Sequence, residues 1–332
     1  MSANGPLLRV SELQVHFSTR EGTLEAVDRI SFEIGSNEIF GLVGESGSGK
    51  SITALSILGL VPSPGRIVGG DIAFGGRNLR ELPERVVRTI RGREIGMIFQ
   101  SPRASLDPVR TVAVQLSRAL RTHHDIGRGE VRRRSVQMLR DLGMPDPEAA
   151  LTRYPHQLSG GMCQRVMVAM MLSSRPRLLI ADEPTTALDE TVGAQLLEHL
   201  RRFKEEHAAS ILLITHDMGV IAEMCDRVGV MHAGHIVEVG PVGAVFRDPR
   251  HPYTRALLDS TLRVDRDSPL SDIERIPGVV PNLLHPPPGC RFADRCAYVL
   301  PACRPAKPPR LEVAPGHHVL CQETVIREFA AP

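Results

Sequence analysis

The chain has 332 residues, of which 42% are hydrophobic and 23% charged, and its formal net charge is +2. This composition is typical of a globular protein with one large domain or a domain plus an appendage, and the charge does not indicate a nucleic-acid partner. Because no stretch approaches the roughly 20 apolar residues of a membrane helix and residues 1–10 lack a secretory signal, we expect a cytoplasmic protein.

The chain begins with patterns that predict β-strands. Apolar and polar residues alternate over residues 13–17 and 30–34, which predicts half-buried antiparallel strands. Residues 39–43, 178–181 and 211–214 are continuous apolar runs, which predict strands buried on both faces. Polar residues follow each run. Because ligands of open α/β sheets bind at the carboxyl ends of the strands, we expect these residues to form one site.

The first apolar run leads into a glycine-rich loop that predicts phosphate binding. Its glycines allow backbone N–H groups to converge on phosphate oxygens, and the helix predicted to begin near Lys50 directs its positive end at the same charge. We expect Lys50 to reach the β- and γ-phosphates and the Ser51 hydroxyl to bind Mg²⁺. The predicted nucleotide-binding residues of this loop are Gly44, Glu45, Ser46, Gly47, Ser48, Gly49, Lys50 and Ser51.

The middle of the chain predicts helices. Apolar residues recur at helical spacing over residues 111–142, and Gly143 follows as a C-terminal cap, so we interpret this region as a helical subdomain inserted in a sheet domain. Next come Ser159, Gly160 and Gly161 ahead of an apolar helix. A serine cap with two glycines is an anion-binding arrangement, although an ordinary capped helix has the same pattern.

Acidic residues follow the second apolar run, and a histidine follows the third. Asp182 ends a buried strand, where a carboxylate is destabilised unless a cation pairs with it, and Mg²⁺ is the natural partner. Glu183 is placed to polarise an attacking water, with a structural ion pair as the alternative. His216 is interpreted as a γ-phosphate contact because it shares the sheet edge with the other groups.

The composition changes after Gly240. Of the 26 prolines, 15 lie beyond this residue, together with four of the six cysteines. Proline at this density disfavours long helices and interior strands, so we expect a short helix near residues 254–262 and then irregular chain. The spacing of Cys290, Cys296, Cys303 and Cys321 does not distinguish one bound metal from another. Because a reducing compartment disfavours disulfides, the four thiols predict a metal that holds this tail together.

The order of these motifs over about residues 8–240 resembles that of the ATP-binding-cassette (ABC) family. The resemblance implies an α/β fold: an ABC nucleotide-binding domain (residues 1–240) with a P-loop RecA-like core, an antiparallel β-subdomain and an inserted helical subdomain (about residues 105–175). Residues 241–332 would then be a small irregular cysteine-rich extension. The matching segments are residues 44–51 (Walker A), Gln100 (Q-loop), residues 158–162 (signature), residues 178–182 (Walker B) with catalytic Glu183, residues 187–189 (D-loop) and His216 (switch histidine).

The family resemblance also implies ATP hydrolysis with Mg²⁺ by two chains that enclose the nucleotide between them. Glu183, His216 and Gln100 would be catalytic, and Ser51, Gln100 and Asp182 would hold Mg²⁺. Phe17 would stack on adenine, with core packing as the alternative. The contacts to ATP bound by the partner chain would come from Ser159, Gly160, Gly161 and Asp189.

Further segments resemble the oligopeptide/dipeptide importers: residues 99–108, Met162, residues 251–253 and the tail cysteines. This implies a heterodimer with a second ATPase subunit, two integral membrane permease subunits and an extracytoplasmic substrate-binding protein, at the cytoplasmic face of the membrane. It also favours a [4Fe–4S] cluster over zinc on the four tail cysteines. Relatives that handle nickel or glutathione share these features, so the cargo stays open.

Three alternatives remain at this point. A soluble cassette ATPase of translation or DNA repair generally carries two cassettes or a long coiled-coil insertion, and neither is present in this sequence. The second alternative is an ordinary P-loop kinase or GTPase, in which the turn at residues 158–162 would have no function. The tail cysteines could also form a redox sensor that controls transport.

Overall fold

The computed structural model describes residues 5–123, 125–186, 188–262 and 276–330. The contacts between residues group the chain into two compact units. The first comprises the residues up to Glu81 and those from Thr215 onwards, and the second comprises Leu82–Ile214. Across the described ranges, we find no helix with the length and apolar character needed to span a bilayer.

The first unit opens with an antiparallel sheet, in which β2 (Gly22–Ile34) lies beside β1 (Leu8–Thr19), β1 beside β4 (Gly65–Phe74) and β4 beside β5 (Arg77–Asn78). Leu13, Val15, Ile30 and Ile34 are all buried, which confirms the half-buried antiparallel strands predicted from the alternating pattern. The elements of this part are β1 (Leu8–Thr19), β2 (Gly22–Ile34), β3 (Ile39–Val43), α1 (Lys50–Ile57), β4 (Gly65–Phe74) and β5 (Arg77–Asn78).

The second unit consists of parallel strands and the helices between them. Its elements are α2 (Glu84–Ile90), β6 (Ile95–Ile98), α3 (Val112–His123), α4 (Arg128–Asp141), α5 (Pro147–Thr152), α6 (Gly160–Leu172), β7 (Leu178–Asp182), α7 (Glu190–His207) and β8 (Ser210–Thr215). Strand β7 pairs in parallel with both β6 and β8. Every residue of β7 and β8 is buried, as their continuous apolar runs predict.

Helices α3 to α6 lie between β6 and β7, in the region for which the sequence predicts helices. The helical pattern of residues 111–142 belongs to two helices, α3 and α4, because Gly127 is in an extended conformation and starts the second one. Gly143 follows α4 with a φ of 70°, in the left-handed region that favours glycine, so the predicted C-terminal cap is confirmed.

The chain then returns to the first unit, where β9 and β10 extend the sheet that contains β3. Within this unit the order is β11-β12-β10-β9-β3, and β9 runs parallel to β3 whereas the remaining pairs are antiparallel. The elements are α8 (Met218–Met224), β9 (Arg227–His232), β10 (His235–Pro241), α9 (Val242–Arg247), α10 (Pro252–Leu262), β11 (Arg310–Ala314), β12 (His317–Leu320) and α11 (Glu323–Ala330).

The prediction of irregular chain beyond α10 is wrong for residues 310–330. Strand β12 lies between β11 and β10, in the interior of a sheet, and α11 follows it. Within residues 310–330 the only proline is Pro315, which lies in the turn between β11 and β12 and interrupts no ladder of hydrogen bonds. The prolines that disfavour regular structure lie upstream, where the described chain has only the short 3₁₀ turns Ala293–Arg295 and Pro301–Cys303.

The tail packs against the strand that precedes the glycine-rich loop. Tyr253 and Leu258 of α10 and Phe292 of the tail share one buried cluster with Val43 at the end of β3 and Val230 of β9. Burial of such apolar side chains stabilises a fold by roughly 1.5–3 kcal/mol each. The cysteine-containing segment is therefore part of the core that supports the loop after β3.

Candidate active site

The glycine-rich loop lies in the first unit, at the carboxyl end of β3. A Cβ atom on Gly44 would lie 2.0 Å from the carbonyl oxygen of Met231, and one on Gly49 would lie 2.7 Å from that of Ala26. Gly49 also has a φ of 106°, which L-residues rarely adopt. The backbone of the loop therefore runs so close to its neighbours that no side chain fits at either position.

Lys50 places its ammonium group inside this loop. Its Nζ donates hydrogen bonds to the carbonyl oxygens of Gly44 at 2.7 Å and Glu45 at 2.9 Å. Helix α1 begins at Lys50, and its N-cap, Gly49, offers no side-chain acceptor. The cation and the positive end of a helix are thus directed at the same loop, which is the arrangement that binds phosphate groups in proteins.

Glu45 is held by residues from the C-terminal part of the chain. Its carboxylate accepts hydrogen bonds from both terminal nitrogens of Arg295, at 2.8 and 2.9 Å, and its backbone N–H donates to the Tyr253 hydroxyl at 3.0 Å. The Arg295 guanidinium, with a smaller effect from His232, lowers the pKa of Glu45 to about 2. The glycine-rich pattern predicts the place of Glu45 in the loop, but no signal in the sequence indicates these partners.

The other two predicted site residues of the first unit are partly accessible. Phe17 is half-buried in β1, and its ring lies so close to Gly65 that a Cβ there would come within 2.5 Å of it. His216 is exposed directly after β8, and the next residue, Asp217, caps α8. Their predicted contacts with adenine and the γ-phosphate stay predictions.

The second unit brings together two predicted catalytic residues. Glu183 Oε2 accepts a hydrogen bond from Gln100 Nε2 at 3.2 Å and another from the Thr186 hydroxyl at 2.8 Å. Gln100 follows β6 and Glu183 follows β7, and these strands are parallel neighbours, so the two side chains come from the same sheet edge. No pattern in the sequence indicates the role of Thr186, although it lies only three residues from Glu183.

Glu183 also has an unusual backbone. Its φ is 48°, in the left-handed region that non-glycine residues seldom occupy and that is found mostly in turns and at functional sites. Its N–H donates to the Ile214 carbonyl at 2.8 Å, which fixes this conformation next to β8.

Asp182, one residue earlier, is buried. Its carboxylate is a hard oxygen ligand of the type that Mg²⁺ prefers, as is the Ser51 hydroxyl of the other unit.

The signature serine is a helix cap, as predicted. Ser159 Oγ accepts a hydrogen bond from the Met162 N–H at 3.2 Å, and α6 begins at Gly160. Asp189 caps α7 in the same way, through the Val192 N–H at 3.0 Å. Ser159 and Asp189 are both exposed, so each can cap its own helix and still face another molecule. Ala187, within the predicted D-loop, lies outside the described residues.

A buried hydrogen bond joins α6 to the turn that follows β7. Gln164 Nε2 donates to the carbonyl oxygen of Pro184 at 2.8 Å. An unpaired buried amide would cost about 1–3 kcal/mol, so this contact couples the position of α6 to the residue after Glu183. Gln164 gave no signal in the sequence because a polar residue within an apolar helix usually faces solvent.

The four tail cysteines surround one small cavity. Cys290, Cys296, Cys303 and Cys321 all line it, and all are free thiols. Burial raises the pKa of Cys290 to about 11 and that of Cys321 to about 12, and the neighbouring sulfurs act in the same direction. Among the described residues, however, no group of three or more His, Cys, Asp or Glu side chains is arranged to hold a metal ion.

A buried histidine lines the same cavity. His251 is 1% exposed and its Nδ1 accepts a hydrogen bond from the Tyr253 N–H at 3.0 Å, so the neutral ring carries its proton on Nε2. Burial lowers the pKa of His251 to about 3, and Nε2 has no partner within the described part of the chain. The cavity is therefore lined by four thiols and one ring N–H that lacks an acceptor among the described residues.

Two family models match the chain. Residues 27–186 match the ABC transporter family, and residues 237–303 match the C-terminal region of oligopeptide/dipeptide transporters. A probable peptide ABC transporter ATP-binding protein of Sinorhizobium fredii is 48% identical over 95% of this chain and 94% of its own length. The dipeptide transport ATP-binding protein DppD of Escherichia coli is 43% identical over 95% and 96%.

Solved structures of ABC transporter components have a similar fold. The dimeric ATP-binding cassette MJ0796 in a post-hydrolysis state with ADP and phosphate is 26% identical, with a TM-score of 0.65, over 71% of this chain and 98% of that structure. CbiO1 of Clostridium perfringens, from the transporter complex CbiONQ, is 27% identical with a TM-score of 0.61 over 73% and 91%. These similarities exclude an ordinary P-loop kinase or GTPase. The chain has the ABC nucleotide-binding fold and belongs to the ATP-hydrolysing subunits of oligopeptide/dipeptide-type ABC transporters.

Proposed function

We propose that this chain hydrolyses ATP to drive the import of dipeptides and oligopeptides, and that it acts at the cytoplasmic face of the cell membrane. The observation that carries this assignment is the match of residues 237–303 to the C-terminal region of oligopeptide/dipeptide transporters. The named relatives are peptide and dipeptide transport proteins, which favours peptides over nickel or glutathione as the cargo. We further propose that residues 1–240 form the ATPase domain and that residues 241–332 form an extension to it.

In the proposed reaction, the glycine-rich loop and Lys50 bind the phosphates of ATP, and Phe17 contacts the adenine. Ser51, Asp182 and Gln100 would hold Mg²⁺, which when bound offsets negative charge on the β- and γ-phosphates.

Glu183 polarises the attacking water, since its carboxylate is an acceptor already oriented by Gln100 and Thr186. His216 contacts the γ-phosphate. Catalysis is then mainly positioning and electrostatic stabilisation.

A second ATPase chain would complete the site. Ser159, Gly160, Gly161 and Asp189 would contact ATP bound to the partner, which is consistent with the exposure of both capping side chains. The 13-residue helix α6 would direct its positive end at the γ-phosphate. The similar cassette MJ0796 is a dimer that binds ADP and phosphate, which supports pairing. We propose that the partner is a different ATPase subunit.

Two membrane permease subunits and an extracytoplasmic substrate-binding protein would complete the transporter. The segment after Gln100 supports a docking role toward the permeases. It leads to a groove lined by Ser105, Asp107, Arg110 and Val114, and the neighbouring Val109 is 79% exposed. An exposed apolar side chain beside a mixed polar groove suits contact with another protein, and Gln100 links this segment to Glu183.

For the tail, we propose a [4Fe–4S] cluster on Cys290, Cys296, Cys303 and Cys321, with zinc as the alternative. The shared cavity and the unsatisfied Nε2 of His251 support a sulfur-ligated group. Such a group would clamp an extension that has few regular elements between α10 and β11, as metals do in small domains. A redox-sensing role would use the same four residues.

The transport assignment predicts specific companions and a specific cargo. Affinity purification of the chain from detergent-solubilised membranes should recover two integral membrane proteins and a second ABC ATPase, identified by mass spectrometry. Deleting the chain should abolish uptake of labelled dipeptides or short oligopeptides and leave nickel and glutathione uptake unchanged. Recovery of ribosomes or DNA without membrane proteins would instead support a soluble cassette ATPase.

The role of Glu183 predicts that Glu183→Gln retains ATP binding but loses turnover by roughly 100-fold or more, because an amide cannot accept the proton. Equilibrium ATP binding and phosphate release by the assembled complex measure the two effects. Glu205→Gln, on the exposed face of α7, is the control and should behave as wild type. Wild-type hydrolysis by Glu183→Gln would remove this residue from its assigned role.

The role of Ser159 can be separated from its function as a cap. Ser159→Asp keeps a good N-cap, so the melting temperature should be unchanged, but its charge would repel the γ-phosphate and should abolish cooperative hydrolysis by the assembled pair. Asp146 caps α5 through the Ala149 N–H, and Asp146→Ser, the reverse exchange, should leave both properties unchanged. Full cooperative hydrolysis by Ser159→Asp would contradict the trans contact.

The metal proposal predicts iron and acid-labile sulfide in equal amounts, with visible absorption, in protein purified without oxygen. Cys296→Ser should lower the iron content and the absorbance. Cys163→Ser is the matched control, because Cys163 lies in α6 and its hydrogen bond to the Pro155 carbonyl can be made by a hydroxyl. Zinc without iron would select the alternative, and protein with neither metal would contradict both.

A further inference from the structure

The glycine-rich loop is anchored from the C-terminal part of the chain at Glu45. Two observations fix it: Arg295 donates two hydrogen bonds to its carboxylate, at 2.8 and 2.9 Å, and the Tyr253 hydroxyl accepts one from its backbone N–H at 3.0 Å. Side chain and main chain of the same residue are therefore both held, which leaves little freedom for the start of the loop.

Arg295 is well suited to hold a loop in place. Its side chain is 4% exposed, compared with 28% for Glu45, so the pair is largely shielded from solvent. Arg295 Nε donates to the Pro277 carbonyl at 2.9 Å, and the guanidinium lies 5.7 Å from the centre of the Phe292 ring. A guanidinium does not lose its proton, and its two-pronged bond to a carboxylate fixes orientation as well as distance.

The anchored residue in turn positions the cation of the loop. The carbonyl oxygens of Gly44 and Glu45 accept hydrogen bonds from Lys50 Nζ, at 2.7 and 2.9 Å. Any rotation of Glu45 would turn these carbonyls, and the ammonium group would move with them. Arg295 thus controls the place of Lys50 through two steps, each made of direct hydrogen bonds.

We infer that Arg295 is a positioning residue for ATP binding, which acts by holding Glu45, and with it Lys50, in the phosphate-binding form of the loop. This inference rests on the proposed role of residues 44–51 in binding ATP. It assigns a function in the nucleotide site to the cysteine-containing segment, whether or not that segment holds a metal.

The test is Arg295→Met in the full-length chain within its assembled complex, with Mg·ATP as the ligand. Charge-assisted hydrogen bonds contribute enough that the KM for ATP should rise roughly 10- to 100-fold. The kcat should fall less than KM rises, because the loop binds phosphate in the ground state and in the transition state alike. Arg295→Lys should recover part of the affinity for ATP, since lysine keeps the positive charge but cannot make the two parallel hydrogen bonds to the carboxylate of Glu45.

A double-mutant cycle isolates the pair from a general loss of stability. If Arg295 acts through Glu45, the double variant Glu45→Gln with Arg295→Met should bind ATP no more weakly than Arg295→Met. Arg304→Met is the matched control: Arg304 lies in the same tail, is 58% exposed and pairs with exposed Asp294, so its loss should change neither KM nor kcat.

Two outcomes would overturn the inference: an unchanged KM in Arg295→Met, or fully additive effects in the double variant. Lys50→Ala separates this failure from a failure of the proposed function. If Lys50→Ala loses ATP binding whereas Arg295→Met does not, only the positioning role is wrong. If both variants bind ATP normally, the assignment of the loop as the nucleotide site is wrong as well.

Discussion

The approach of the loop backbone to the carbonyl of Met231 controls the geometry of the glycine-rich loop. Gly44 allows a contact that a single Cβ atom would prevent, and this brings the loop carbonyls around Lys50 Nζ. The Lys50 ammonium donates hydrogen bonds to these carbonyl oxygens, which would otherwise face one another in the tight turn. The position of the Lys50 ammonium therefore depends on the close contact between the backbone at Gly44 and the carbonyl of Met231.

Several groups of the site have a structural task and a proposed functional one. Ser159 and Asp189 cap their own helices, and the caps keep the exposed hydroxyl and carboxylate at fixed positions. Glu183 occupies a strained backbone conformation, which the hydrogen bond to Ile214 maintains and which presents its carboxylate to Gln100. A catalytic carboxylate benefits from such preorganisation, since less motion is needed when the reaction begins.

The C-terminal part of the chain is held in the first unit by charge as well as by apolar packing. Arg291 contacts Glu25, and Lys307 contacts Asp28. Although burial works in the opposite direction, hydrogen bonds from His235 and Arg29 hold the pKa of Asp28 well below its usual range. These contacts, together with the Arg295 pair, explain how a segment with little regular structure keeps a defined position beside the loop.

Local sequence patterns were sufficient to predict β3, β7, β8, the glycine-rich loop and the cap at Ser159, because strand period, glycine geometry and capping each involve residues close together in the chain. They did not reveal β12, whose position in the sheet depends on pairing with β10, or the partners of Glu45, of which Arg295 lies 250 positions away. Nor did they place His251 beside the tail cysteines. Contacts between distant segments form only when the chain folds, and a single sequence carries no periodic signal of which distant residues will meet.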